Sequence, residues 1–198
     1  MTGAAEEADQ IRVILADANV LYPRVLRDYL LYAADQEIIT IAWSGEILRE
    51  VTEHLTQNIA GFNDAAARRL VTAMNTAYPL AEVEPGEDVL ARLAGLTLPD
   101  EDDRHVLAAA IAAEATVLCT ANISDFPAHV AAAFGLEVLT PDEMLTLLAR
   151  EFEIQMLAAH RAAVATLPGA TDESTMAALR KAGAEQTADL MAGLLGLG

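Results

Sequence analysis

The chain has 198 residues, of which 30 are acidic and 12 are basic, so its formal net charge at pH 7 is −18. This charge repels nucleic acid phosphates over most of the surface, so a nucleic acid substrate would need divalent cations or the few arginines to bind. A single cysteine, Cys119, excludes an internal disulfide framework, and the lack of a long apolar run or a basic, apolar leader predicts a cytoplasmic protein without a membrane span.

Short β-branched and aliphatic runs alternate with helical patterns through the first 150 residues. The runs predict strands at residues 11–16, 38–43, 116–121 and 136–140, with a weak strand near 80–83. Helical spacing of apolar residues follows these runs, and Ser44 and Thr140 are predicted N-caps. The alternation indicates an α/β fold with a mainly parallel sheet and helices on both faces.

From about residue 151 the sequence shows no strand pattern. It predicts two or three amphipathic helices, broken at Pro168-Gly169 and near Gly183. We therefore expect two parts: residues 1–150 as the α/β domain and residues 151–198 as an all-α C-terminal extension. The leucine- and alanine-rich end of the extension must pack on the body, on another subunit or on a partner protein.

Four acidic residues stand where the predicted strands and helices meet. Ligands of parallel sheets collect at the carboxyl ends of the strands, and carboxylates crowded there raise one another's pKa unless a cation neutralises them. Oxygen ligands suit Mg²⁺ or Mn²⁺, and the sequence lacks the Cys/His spacing of a zinc site. Such a cluster could support phosphodiester hydrolysis, with one acid accepting a proton from the attacking water. The four are Asp17, Glu50, Asp103 and Asp125.

Four motifs, in this order, resemble those of the PIN-domain ribonucleases: ILADANVL, SGEILREV, DRHVLAAA and TANISDF. The closest group is the VapC-like toxins of type II toxin–antitoxin pairs, and the resemblance covers about residues 11–150. It implies a three-layer α/β/α sandwich and Mg²⁺- or Mn²⁺-dependent cleavage of RNA. It also implies a cognate antitoxin and a homodimer. Some longer members of this toxin group carry a helical C-terminal extension.

The resemblance also assigns roles to individual residues. It makes the four acids the catalytic quartet, with Asp17, Asp103 and Asp125 as the metal ligands. Asp102 competes with Asp103 and Glu46 with Glu50, but Asp103 and Glu50 fit the family's motif spacing. Many members have Asp at the position of Asn122, which leaves Asp125 as the better acid. Supporting roles fall to Asn19, which would fix the first loop, and to Thr120, Asn122 and Glu46.

Three arginines are candidates for contacts with RNA phosphates: Arg24, Arg27 and Arg104. The alternative for the first two is an ion pair on a helix, for instance with Asp28 or Asp35, and the alternative for Arg104 is an ion pair within the acidic cluster. His105 has the chemistry of a general base, although a histidine at a helix start more often serves as a structural hydrogen-bonding group.

Two other functions compete with the nuclease. A catalytically silent PIN-like module that binds a partner protein would keep the fold and bind metal weakly. A phosphatase would use Asp17 as a covalent nucleophile, but such enzymes usually have a second acid two residues later, where this chain has Asn19, and no phosphate-binding glycine loop follows.

Overall fold

The computed structural model describes residues 12–197, so the acidic first residues, on which the leader prediction depends, lie outside it. The described residues form five strands: β1 (Arg12–Ala16), β2 (Ile39–Ser44), β3 (Glu82–Val83), β4 (Val117–Cys119) and β5 (Glu137–Leu139). They also form eleven α-helices: α1 (Ala18–Leu21), α2 (Arg24–Asp35), α3 (Gly45–Asn58), α4 (Asp64–Ala77), α5 (Glu87–Leu93), α6 (Arg104–Ala112), α7 (Ala128–Ala133), α8 (Pro141–Glu151), α9 (Glu153–Ala165), α10 (Asp172–Lys181) and α11 (Glu185–Leu195).

The five strands form one sheet in the order β3-β2-β1-β4-β5, and every neighbouring pair is parallel. On the central strand, Ile14 is in register with Ile41 of β2 and with Val117 of β4. Crossover connections between parallel strands are right-handed. The chain crosses the sheet toward one edge from β1 to β2 and toward the opposite edge from β3 to β4. The crossover helices α2 and α6 therefore cover opposite faces, which confirms the predicted α/β/α fold.

The core lies between the sheet and these two helical layers. Ile14 and Leu15 on β1 are fully buried, as expected for a parallel strand covered on both sides. Trp43 and Tyr29 are the largest side chains without exposed surface, and the Cys119 thiol is buried and free. Trp43 on β2 and Cys119 on β4 therefore belong to this core.

Both predicted N-caps are confirmed. The Ser44 Oγ accepts a hydrogen bond from the Ile47 N–H (3.2 Å) at the start of α3. At α8, Thr140 and Glu143 form a reciprocal capping box, in which each side chain accepts a hydrogen bond from the backbone N–H of the other. The sequence did not predict α1, because a helix of four residues is too short to show a periodic pattern.

Three helices and no strand follow residue 151 among the described residues, in agreement with the prediction of two or three helices. The Pro168-Gly169 break separates α9 from α10, and Gly183, with φ +84°, lies between α10 and α11. A positive φ there favours glycine, which has no Cβ to clash with the preceding backbone. Helix α9 packs on α2, and α11 packs on α8 and α10. Among residues 12–197, no helix combines the length and the apolar character that a membrane crossing requires.

Buried polar side chains fasten these helices to the body. The Tyr29 hydroxyl on α2 lies 2.7 Å from Nδ1 of His160 on α9, and His160 Nε2 lies 3.0 Å from Asp172 Oδ1 on α10. The carboxylate of Asp142, in the first turn of α8, accepts hydrogen bonds from the backbone N–H groups of Gln186 (3.1 Å) and Thr187 (2.8 Å). One helix thus supplies the N-terminal cap of another.

Candidate active site

Asp17 lies where the two middle strands of the sheet end. Its backbone N–H donates a hydrogen bond to the carbonyl of Cys119 (3.1 Å), so the loops after β1 and β4 begin side by side. The chain leaves β1 toward one edge of the sheet, and β4 lies on the other side of β1. Such a change of direction opens a crevice at the carboxyl ends of the strands, where α/β proteins bind ligands.

The Asp17 carboxylate is 4% exposed and firmly held. Its Oδ1 accepts a hydrogen bond from the Ala18 N–H (2.6 Å), and its Oδ2 accepts hydrogen bonds from Asn19 Nδ2 (2.7 Å) and Thr120 Oγ1 (2.7 Å). Burial raises the pKa of Asp17, while these donors and the nearby His105 oppose the increase. The carboxylate is therefore fixed in orientation and costly to ionise.

Asn19 joins the first loop to the loop after β4. Its Nδ2 donates to Thr120 Oγ1 (3.1 Å) as well as to Asp17, and its Oδ1 accepts a hydrogen bond from the Ala121 N–H (2.9 Å). The Asn122 N–H in turn donates to Thr120 Oγ1 (3.1 Å). Asn19 and Thr120 thus hold the carboxylate between two loops.

Asp103 stands at the N-cap position of α6, but its side chain makes no capping hydrogen bond. Desolvation raises the pKa of Asp103 to about 6, and the negative charges of Asp17, Asp125 and Asp100 add to the increase, while His105 lowers it. The pKa of Asp103 is therefore affected by the charges of two other members of the predicted quartet, Asp17 and Asp125.

Glu50 lies on α3 and its side chain is 33% exposed, with Oε1 at 3.2 Å from His105 Nε2. Burial raises its pKa, His105 lowers it, and the charges of Asp17 and Glu46 raise it. Glu46, the competing acid, is 49% exposed and pairs with Arg49 (2.9 Å). The structure thus places Glu50, and not Glu46, against His105.

Asp125 ends a short 3₁₀ turn (Ile123–Asp125) after β4 and is half-buried. Its charge contributes to the raised pKa of Asp103, which links it to the same edge of the sheet. Asp102, the competitor of Asp103, is exposed and uses its backbone carbonyl to accept a hydrogen bond from His105 Nδ1 (2.7 Å).

The three candidate arginines are engaged with the protein itself. Arg24 pairs with Asp28 (3.1 Å), which confirms the helix ion pair that the sequence offered as an alternative. Arg27 is buried and donates to the carbonyl of Leu21 (2.6 Å), and burial lowers the pKa of its guanidinium.

Arg104 donates to the carbonyls of Leu93 and Leu96 and pairs with Glu101. Its guanidinium therefore holds the loop that precedes α6 against the end of α5. The contact of any of these arginines with RNA stays a prediction.

The four acids are linked by their electrostatic effects. Asp17 raises the pKa of both Glu50 and Asp103, and Asp125 raises that of Asp103. Among residues 12–197, no three His, Cys, Asp or Glu side chains are arranged to hold a metal ion. The chemistry of the donor set nevertheless fits a divalent cation, because these carboxyl groups would become easier to ionise beside one.

Sequence reasoning missed two features of this site. It proposed Thr120 as support for the last motif only, whereas its hydroxyl donates directly to Asp17, 103 residues away. It also missed the contact between His105 and Glu50. Neither contact has a local signal in the sequence, because each joins elements that only the folded chain brings together.

The sequence of residues 13–124, more than half of the chain, matches the family described as the PIN domain. No curated protein and no solved structure is similar enough to count as a match. The matched segment includes three of the four acids, Asp17, Glu50 and Asp103, and ends one residue before Asp125. The all-parallel sheet and its acidic edge agree with this match. The chain therefore belongs to the PIN-domain family, whose members are generally nucleases.

Proposed function

We propose that this protein is a metal-dependent endoribonuclease that cleaves phosphodiester bonds in RNA. The observation that carries the proposal is the grouping of Asp17, Glu50 and Asp103 at the ends of the parallel strands, where burial raises the pKa of each carboxyl group and the charge of Asp17 raises the pKa of the other two further. A fold gains nothing from such repulsion unless a ligand relieves it.

The carboxylates of Asp17, Asp103 and Asp125 would hold Mg²⁺ or Mn²⁺. The chemistry that the cation supplies when bound is the neutralisation of phosphate charge and the activation of water. Asn19 and Thr120 orient the Asp17 carboxylate through hydrogen bonds to its Oδ2. Ligands that are oriented in this way bind a metal without first losing side-chain freedom.

Glu50 suits the role of proton acceptor. Its Oε1 faces His105, so Oε2 is the oxygen that would accept a proton from the attacking water. Burial and the charges of Asp17 and Glu46 raise its pKa, while His105 and Arg49 lower it. A raised pKa makes a carboxylate a better proton acceptor.

The test is RNA cleavage by the purified full chain in Mg²⁺ or Mn²⁺, compared with cleavage by variants that each have a matched control. Asp103→Asn and Glu50→Gln should reduce cleavage to a low residual activity, while Asp102→Asn and Glu46→Gln, which alter the exposed competitors, should retain full cleavage. Asp17→Asn should abolish cleavage. Full activity of both Asp17→Asn and Asp103→Asn would contradict the mechanism.

We also propose that the nuclease is the toxin of a toxin–antitoxin pair and acts in the cytoplasm as a homodimer. In this proposal residues 1–150 carry the nuclease and residues 151–198 form a helical extension. Expression of the wild-type chain should then arrest growth, and expression of Asp17→Asn should not. A small DNA-binding protein encoded just upstream should relieve the arrest. Unimpaired growth with an active nuclease would contradict the toxin role alone.

A further inference from the structure

His105 contacts both the loop before α6 and the Glu50 side chain on α3. It is the second residue of α6, two positions after Asp103, and its side chain is 17% exposed. Nδ1 lies 2.7 Å from the backbone carbonyl of Asp102, and a carbonyl accepts only, so Nδ1 must donate. The ring is therefore held in one orientation, with Nε2 pointing away from this carbonyl.

Nε2 lies within ion-pair distance of Glu50. It lies 3.2 Å from Oε1, is buried, and makes no hydrogen bond of good geometry among the described residues. A buried ring nitrogen without a hydrogen bond is costly, so such atoms usually have a partner or a function. Glu50 Oε1 lies within ion-pair distance of this atom. Because Nδ1 already donates, Nε2 can hydrogen-bond an ionised Glu50 only when it carries a proton too, so that both ring nitrogens donate.

Glu50 in turn depends on His105 for its orientation. The neighbouring arginine on α3, Arg49, already pairs with Glu46 (2.9 Å) and Glu53 (3.3 Å). Among residues 12–197, the ion-pair contact of Glu50 is with His105. A glutamate on a helix surface has several side-chain rotamers, and one fixed contact limits their number.

We propose that His105 is a positioning residue that holds the Glu50 carboxyl group toward Asp17, so that Oε2 meets the attacking water. This role rests on the proposed nuclease function. In this role His105 acts through Glu50, since Nδ1 is bonded to the Asp102 carbonyl and Nε2 lies against Oε1 of Glu50. A base acts in the chemical step, so its orientation affects the turnover rate and not the affinity for RNA. Misplacement of a reacting group by about 1 Å can reduce the rate about 100-fold.

The variants His105→Asn and His105→Gln separate the two ring nitrogens. The amide of asparagine reaches the place of Nδ1 and can donate to the Asp102 carbonyl, but it falls short of Glu50. The amide of glutamine reaches the place of Nε2. We expect His105→Asn to lower kcat about 10- to 100-fold with KM within about twofold of wild type. We expect His105→Gln to recover at least half of this loss on a logarithmic scale.

Two controls test whether the effect passes through Glu50. In a Glu50→Gln background, which has low residual activity, His105→Asn should cause no further loss. His129→Asn, an exposed histidine on α7, should leave kcat unchanged. Wild-type kcat for His105→Asn, or an equal loss in both backgrounds, would overturn the proposal.

A measurement without RNA completes the test. In the ¹⁵N spectrum of the folded full chain, Glu50→Gln should shift the Nε2 signal of His105 and leave those of His160 unchanged. An unchanged His105 signal overturns the proposal, and so does a nitrogen coupling from His105 to bound Mn²⁺, because it would make His105 a metal ligand. Absence of RNA cleavage by the wild-type chain would instead reject the nuclease function, while the spectrum would still report the contact.

Discussion

The acidic edge of the sheet and the C-terminal helices use the same residue types in opposite ways. Asp142 on α8 is buried, and both of its carboxylate oxygens accept backbone hydrogen bonds from α11. Asp103 holds the N-cap position of α6, yet its carboxylate makes no capping bond. Polar groups of the C-terminal helices stabilise the fold, whereas those of the acidic edge are left available for a ligand.

The histidines show the same contrast. Both ring nitrogens of His160 have partners, the Tyr29 hydroxyl and the Asp172 carboxylate. His105 has one hydrogen-bonded nitrogen and one that faces Glu50 without a good hydrogen bond. A buried polar group that the protein itself does not satisfy marks a functional site more reliably than the residue type does.

The largest expected effect comes from replacing each of these two aspartates by asparagine and comparing the two variants. Asp103→Asn should reduce RNA cleavage by at least about 100-fold, a loss of roughly 3 kcal/mol of transition-state stabilisation, and should leave the melting temperature equal or higher because it removes repulsion. Asp142→Asn should leave cleavage per folded molecule unchanged. Cleavage assays and thermal unfolding check both, and equal cleavage losses would remove the distinction between the regions.

The second prediction concerns stability. Asp142→Ala leaves the N–H groups of Gln186 and Thr187 without their acceptor, so we expect the free energy of unfolding to fall by about 2 kcal/mol. In a chain of this size, that corresponds to a melting temperature lower by about 4–8 °C. Asp142→Asn keeps one carbonyl acceptor and should lose less. An unchanged melting temperature for Asp142→Ala would show that the cap contributes nothing.

A smaller effect is expected at the buried histidine. Tyr29→Phe removes the hydroxyl that hydrogen-bonds to His160 Nδ1, at a cost of about 1 kcal/mol. Tyr32→Phe is the control, because the Tyr32 hydroxyl makes an exposed hydrogen bond to Thr166 and should cost less. Urea unfolding of the two variants measures the difference. Equal midpoints would contradict a structural role for the buried contact.

The smallest effect is a pH dependence. The pKa of Asp103 is raised to about 6 from an ordinary value of 3.8, so the folded chain binds this proton more tightly than the unfolded chain does. The stability that this residue contributes is therefore present below about pH 4 and is lost as the pH rises to about 6. The melting temperature of the wild type, relative to that of Asp103→Asn, should therefore be highest at about pH 4 and should fall as the pH rises to about 6. Mn²⁺ should raise the melting temperature more at pH 7 than at pH 5, because it competes with the proton.

The sequence predicted most of the fold because its signals are local. The apolar run before Asp17, the Ser44 cap and the Thr140 capping box each lie within a few residues, and all three are confirmed. The helix α1 lacked such a signal because of its length. The alternation of strands and helices was sufficient to predict the parallel sheet.

The arrangement of the site could be predicted only in part. That the acids would gather at the strand ends follows from topology, since the carboxyl ends of parallel strands share one edge. The hydrogen bond from Thr120 to Asp17 and the contact of His105 with Glu50 depend on side-chain geometry across different elements. Arg27 shows the same limit, because a charged residue near a loop gives no sign that its guanidinium will be buried.

The contact between Tyr29 and His160 has a consequence for how the chain folds during its synthesis. The two residues are 131 positions apart, so α2 leaves the ribosome long before the helix that covers its hydroxyl. Until α9 has been translated, this face of α2 is accessible to chaperones and proteases and can aggregate with other nascent chains. The sheet can therefore be complete, with β5 in place, before α9 reaches α2 and covers the Tyr29 hydroxyl.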